Sequence, residues 1–180
     1  MKELSIKGKR FIPYISHQEI EEKVSEMASR IAADYKDDCP LLLVVLNGAM
    51  VFASSLMQKM NIPLEICCIR YNSYVNMQTS EQVKEVIGLP EERLKGRRVI
   101  VVEDIVDTGN TIAYLFGTLE ACGVTDAKVA TLTFKQGTYK ASQPISYVGF
   151  PIADDFIVGY GMDYDEQGRQ YPDIYQYSAF

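Results

Sequence analysis

One histidine and four cysteines are all that this 180-residue chain offers to a soft metal. His17 stands alone, and Cys39, Cys67, Cys68 and Cys122 form no CxxC pair, so the ligand spacing of a zinc site is missing. The thiols read instead as reduced, buried side chains of a cytoplasmic protein. No apolar run approaches the ~20 residues of a membrane-spanning helix. The basic start "MKELSIKGKR" is not followed by the apolar stretch that a secretory signal needs. Lys and Arg are outnumbered 18 to 24 by Asp and Glu, for a net charge of −6, and a surface so poor in positive charge does not suit a generic nucleic-acid binder. Two phosphate-binding signatures are absent as well. GxxxxGK[ST] occurs nowhere, and no GxGxxG follows a strand pattern, which excludes a P-loop and the dinucleotide-binding fingerprint.

What is present has the make-up of a soluble globular domain, 47% hydrophobic and 23% charged. The length suits one domain with a sizeable core. Ser16 with Glu19 three residues on forms a capping box. Ile20, Val24, Met27 and Ile31 then fall at helical spacing, which predicts an amphipathic helix over about 17–35. The apolar run Leu41–Leu46 predicts a buried strand. "NGAM" turns into a helix near 50–60 that Asn61 and Pro63 end, and 64–70 reads as the next strand. Residues 71–90 mix polar side chains with scattered aromatics and no dominant period. They read as an irregular lid-type excursion, the alternative being a hairpin with "VKEVIGL" as one arm. A central strand over 97–103 precedes a helix carrying Ile112, Leu115, Phe116 and Leu119 on one face and stopped by Gly123. Strands follow over 127–134, near 147–150 and near 156–160. The Tyr-, Asp- and Gln-rich tail from Asp163 reads as a cap over the sheet edge. Strand–helix alternation predicts an α/β fold with a central, mostly parallel twisted sheet flanked by helices, with no internal repeat or interdomain linker.

The most informative segment is "VVEDIVDTGNT", residues 101–111. A buried run ends in Glu103 and Asp104, Asp107 follows, and then come Thr108, Gly109, Asn110 and Thr111. Ligands of open α/β sheets bind at strand carboxyl ends. Small polar residues opening a helix present N–H groups that hold a phosphate. Acids beside such a cradle would repel the phosphate, so another role must explain them. Sugar-hydroxyl recognition, Mg²⁺ binding through hard oxygen ligands and proton transfer would each do so. Like-charged neighbours favour the last of these for Asp107.

This segment closely resembles the phosphoribosyl-pyrophosphate (PRPP) signature of the type I phosphoribosyltransferases. Its form "VEDI-DTG-T" is similar to that of the hypoxanthine(-guanine) branch. Four more blocks lie in the family's order: "VVLNGAMVF" (44–52), which resembles the pyrophosphate loop; "IRYNSY" (69–74), the start of the catalytic lid; "LTFK" (132–135), the strand carrying a purine-reading lysine; and "DFIVGYGMDYDEQGR" (155–169), the base-binding and metal segment. The resemblance implies a core over about 16–150, a hood from about 1–15 and 151–180, and a flexible lid over about 71–90.

The activity it implies is purine salvage. A 6-oxopurine, hypoxanthine and also guanine, displaces pyrophosphate from PRPP to give IMP or GMP. Asp107 would exchange the proton at purine N7, and the loop Asp107, Thr108, Gly109, Asn110, Thr111 would wrap the 5′-phosphate. Glu103 and Asp104 would face the ribose hydroxyls, directly or through Mg²⁺, and Asp163 would hold a second Mg²⁺. Asn47, Gly48 and Arg169 would meet pyrophosphate, and Ser73 and Tyr74 would close the lid. Lys135, Phe156, Ile157 and Asp163 would form the purine site, with Phe156 stacking and Lys135 donating to O6. A homodimer or homotetramer with no nucleic-acid or membrane partner is implied too. The alternatives are a xanthine-preferring enzyme on the same scaffold and a PRPP-fold regulator that binds nucleotides and RNA. One departure stands out: many members of the branch carry a basic residue where this chain has Asn47. The family often has a non-proline cis peptide just before that position, at Leu46–Asn47.

Overall fold

The computed structural model describes residues 2–76, 79–89 and 91–179, with the side chains of 71–87 outside the description. In chain order the elements are β1 (Leu4–Ile6), β2 (Lys9–Ile15), α1 (His17–Asp34), β3 (Leu41–Leu46), α2 (Ala49–Lys59), β4 (Glu65–Asn76), β5 (Thr79–Ile87), β6 (Arg98–Val106), α3 (Asn110–Ala121), β7 (Asp126–Lys135), β8 (Tyr147–Ile152), β9 (Ile157–Val158) and β10 (Ile174–Ser178). Six strands form one sheet in the order β5-β4-β3-β6-β7-β8, parallel except for β5. A second, antiparallel sheet, β1-β2-β10-β9, is built from the two ends of the chain. The mostly parallel α/β sheet and the small hood therefore agree with the expected fold class.

Local chemistry explains the elements. At the start of α1 the Ser16 hydroxyl accepts from the Glu19 amide, while the Glu19 carboxylate accepts from the Ser16 amide at 2.9 Å, so the expected capping box is formed. Strands of a parallel sheet are covered on both faces, which is why β3 and β6 are continuous apolar runs. Leu42, Val44, Ile100 and Val102 pack under α1 and α2. Leu41, Leu43, Val99 and Val101 pack on the opposite face with Ile112, Leu115 and Leu119 of α3.

Four expectations are corrected. Residues 71–76 and 79–87 continue as an antiparallel ribbon, so the backbone follows the hairpin alternative. The central strand runs three residues past Glu103, because β7 keeps pairing with it as far as Val106↔Phe134. Strands β1 and β2 were not foreseen; they pair with each other, and the other partner of β2 is β10 from the far end of the chain, as in Tyr175↔Pro13. Finally, Cys68 is exposed rather than buried. Cys68 and Ile66 pair with Val44 and Leu42 and so share the helix-covered face. Ile66 is 41% exposed, which puts that face of β4 outside the helical cover. Among the described residues no helix is long and apolar enough to cross a membrane.

Candidate active site

The crevice opens where β3 stops. Pairing of β3 with β6 ends at Val44↔Val102, while β6 continues alongside β7. From Glu103 onward, one edge of β6 therefore has no strand partner, at the carboxyl end of the sheet where open α/β folds bind ligands. Glu103 and Asp104 are consecutive in β6 and meet different neighbours. Glu103 lines the pocket in front of α3. Asp104 lies against Gly48 at the start of α2, so closely that a Cβ on Gly48 would overlap its carboxylate. Glu103 is buried and Asp104 is partly buried. Burial, and then the charge of Asp104, pushes the Glu103 carboxyl well above the ordinary glutamate range. Burial pushes Asp104 up to about 6, against hydrogen bonds from the Asp104 and Ile105 amides and the field of Arg169. Among the described residues no cationic side chain hydrogen-bonds either acid.

The loop after β6 has the strand–turn–helix course read from the sequence. Asp107, Thr108 and Gly109 leave the strand and α3 begins at Asn110, with Gly109 in the left-handed conformation (φ 86°). A pocket of about 120 Å³ lies in front, lined by Glu103 and by Asp107 through Ile112. First-turn amides of a helix have no intrahelical partner and aim their dipoles outward, so this pocket suits an anion. The turn after β7 braces the loop: the Lys140 amide donates to the Thr108 carbonyl at 3.0 Å, and the Tyr139 ring occupies the space beside Gly109 that a Cβ would need.

Asp107 does not touch the other two acids through any described hydrogen bond. Its Oδ2 accepts from Lys135 Nζ at 3.1 Å and its Oδ1 from the Thr138 hydroxyl at 2.5 Å. Lys135, only 8% exposed, also donates to Asp154 at 3.0 Å. Burial opposes its charge, but the bonds to Asp154 and Asp107 outweigh that, and its pKa lies above the usual lysine value. The carboxylate expected to sit among like charges is thus paired with a cation.

The hood closes the other side. Phe156 lies just before β9 with its ring 46% exposed, edge-on to Tyr164 at 5.7 Å, while the neighbouring Ile157 is buried. Behind it, Gly161 rests against the carbonyl of Gly48, and Arg169 Nη1 donates to the Gly161 carbonyl at 2.9 Å. Arg169 Nη2 pairs with Asp163 at 2.7 Å. The hood thereby sets Arg169 and Asp163 beside the loop that contains Asn47 and Gly48. The Leu46–Asn47 peptide is cis, as the resemblance leads one to expect. Ser73 and Tyr74 lie in β4 opposite Val83 and Gln82; their side chains fall outside the described residues.

Thr138, Tyr139 and Asp154 complete the site and were not anticipated. "QGTYK" and "ADD" carry no signal beyond that of polar turns, and only the fold brings them to Asp107 and Lys135. A larger cleft, about 470 Å³, lies elsewhere, around Glu21, Ser55, Lys59 and Tyr160. There the Glu21 carboxylate is already engaged by Lys59 at 2.6 Å and Tyr160 at 2.7 Å. Among the described residues no three His, Cys, Asp or Glu side chains converge as a metal cage. A buried and a partly buried acid, neither with a cationic hydrogen-bond partner among the described residues, nevertheless fit Mg²⁺, which takes one or two carboxylates and fills its shell with water and substrate oxygens.

Residues 14–165 match the model of the phosphoribosyl transferase domain family. The chain is 34% identical over 160 residues to the hypoxanthine-guanine phosphoribosyltransferase of Bacillus subtilis (strain 168), covering 89% of each chain. It superposes on the crystal structure of a hypoxanthine-guanine phosphoribosyltransferase from Bacillus anthracis with a TM-score of 0.84 at 35% identity, covering 91% of this chain and 96% of the other. A hypoxanthine phosphoribosyltransferase from Trypanosoma cruzi, in a ternary substrates complex, is similar with a TM-score of 0.86 at 30% identity, covering 93% of this chain and 95% of the other.

Proposed function

This chain belongs to the phosphoribosyl transferase family, and on that premise we propose that it transfers the 5-phosphoribosyl group of PRPP to hypoxanthine and to guanine, yielding IMP or GMP and pyrophosphate. The observation that carries this reading is the grouping of the required parts at the carboxyl end of the sheet: a pocket ahead of α3 lined by Glu103 and by residues 107–112, the adjacent acids Glu103 and Asp104, and the Lys135–Asp107 pair.

The loop 107–111 holds the 5′-phosphate through its amides and the dipole of α3. Glu103 and Asp104 accept from the ribose hydroxyls, which fixes C1 for attack. Arg169 meets the departing pyrophosphate with a planar fork of donors, beside Asn47 and Gly48. Phe156 stacks on the purine, and Ile157 borders its edge through the backbone. Lys135 donates to O6 and favours 6-oxopurines, since the amino group of adenine would set donor against donor. Asp107 accepts the proton at N7 as the new glycosidic bond forms. Ser73, Tyr74 and the β4–β5 ribbon close over the reaction and exclude water. Glu103 and Asp104 would hold one Mg²⁺ and Asp163 a second, which would supply positive charge at the ribose oxygens and the leaving group. We read the enzyme as a cytoplasmic homodimer or homotetramer that acts on small molecules, with no nucleic-acid or membrane partner.

A spectrophotometric assay with PRPP, Mg²⁺ and each of hypoxanthine, guanine, xanthine and adenine tests this. Turnover is expected with the first two. Xanthine as the best substrate, or no PRPP-dependent turnover at all, would overturn the assignment.

Two variants probe the parts. Lys135→Ala removes a charged hydrogen bond worth about 1.5–3 kcal/mol, so KM for hypoxanthine should rise at least tenfold and discrimination against adenine should shrink. KM for PRPP should stay within about threefold, and a parallel rise would refute a base-reading role. Asn47→Lys adds a cation beside the pyrophosphate position and should lower KM for PRPP several-fold with little change in kcat. An unchanged KM would show that the backbone alone acts there.

A further inference from the structure

The turn after β7 touches both working parts of the crevice. Thr138 donates to Asp107 Oδ1 at 2.5 Å, and two residues on, the Lys140 amide holds the Thr108 carbonyl of the phosphate loop at 3.0 Å. Thr138 is itself fixed, because its amide donates to the Lys135 carbonyl at 3.2 Å. The two oxygens of Asp107 are thereby made unequal: Oδ1 is satisfied by a hydroxyl on the turn, while Oδ2 lies with Lys135. A carboxylate on a loop has two soft torsions, and a proton acceptor must be aligned with the proton it takes. A second hydrogen bond on the far oxygen supplies that alignment.

We infer that Thr138 is a positioning residue for phosphoribosyl transfer: its hydroxyl locks the carboxylate plane of Asp107 so that Oδ2 faces the purine beside Lys135. The inference rests on the proposed function and on the proton-accepting role of Asp107. In the step concerned, C1 of the ribose loses pyrophosphate and bonds to the purine nitrogen, and the proton at N7 passes to Oδ2. Oδ1 keeps its bond from Thr138 throughout, so the carboxyl group need not turn. Asp154 and Glu103 are the other charged groups nearby: Asp154 shares Lys135, and Glu103 lines the same pocket.

The test is a double-mutant cycle with rescue, measured as IMP formation. Thr138→Val keeps the shape and removes the donor. It should lower kcat about tenfold, the size of one lost hydrogen bond to a charged group, with KM for PRPP and hypoxanthine within about threefold. Thr138→Ser should recover most of kcat. In an Asp107→Asn background, Thr138→Val should have almost no further effect, because the group it orients is gone. An equal loss in both backgrounds, failure of Ser to rescue, or an unchanged kcat would each overturn the positioning role. Wild-type turnover reports separately on the proposed function. An active wild type with an unaffected Thr138→Val removes only this inference, whereas an inactive wild type removes both.

Discussion

Asp107→Asn should lower kcat by about 10²–10⁴, the range associated with loss of a positioned general base, while leaving KM for PRPP within about threefold. The two halves of this expectation come from different parts of one loop. The carboxylate of Asp107 faces Lys135 and Thr138, on the purine side. In the proposed function the phosphate is held by main-chain amides ahead of α3, which an asparagine leaves in place. An amide can also be accommodated: its oxygen can accept from Lys135, and its NH₂ can donate to the Thr138 hydroxyl. That hydroxyl has the Lys135 carbonyl 3.2 Å away as an alternative acceptor. The variant should therefore fold and bind, yet fail at proton transfer. Steady-state kinetics of IMP formation with both substrates varied will check this. A kcat within tenfold of wild type would refute the role, and a matching collapse in PRPP affinity would relocate it.

The second large effect concerns Glu103, and it should run in opposite directions for binding and for stability. As a hydroxyl acceptor on the ribose, Glu103→Gln forfeits charged hydrogen bonds of about 1.5–3 kcal/mol each, so KM for PRPP should rise about 10–100-fold. In the ligand-free protein the same carboxyl is a liability. Burial raises its pKa well above the usual value, and Asp104 beside it is raised from 3.8 to about 6. The folded state thus binds more protons than the unfolded chain between the unfolded and folded pKa values, and stability falls as pH rises through that window. For Asp104 the window is about pH 4 to 6; for Glu103 it begins near 4.5 and extends higher. A tenfold change in proton affinity is worth about 1.4 kcal/mol, so ionising Asp104 alone costs on the order of 2–3 kcal/mol. Glu103→Gln should accordingly match wild type in Tm near pH 4 and exceed it by several degrees at pH 8, with Mg²⁺ and PRPP absent. Thermal melts across that pH range will decide. A variant less stable than wild type at pH 8 would show that the acid is compensated by a partner. On the proposed function, the tension between a stable crevice and a sugar-binding one accounts for acids kept where the fold alone would place apolar residues.

Much of this molecule is written in short-range pattern. The capping box at Ser16 and Glu19, the apolar run of β3, and the sequence of buried strand, acids and small residues through 111 each specify local conformation through neighbours a few positions away. Together they announce a parallel sheet with a ligand at its carboxyl edge. The five motif blocks go further and name the reaction class. What sequence could not determine depends on partners remote in the chain. β2 becomes a strand because β10 pairs with it from the far end. Arg169 comes beside the loop of Asn47 and Gly48 because Gly161, whose carbonyl it bonds, lies on Gly48. The immediate partners of Asp107, Lys135 and Thr138, come from the end of β7 and the turn that follows, so the charge facing that carboxylate proved opposite to what its chain neighbours suggest. Hydrophobic period and capping act over a turn or two of chain. Electrostatic pairing and hood closure act through space, and only the packed sheet brings those groups within hydrogen-bonding distance.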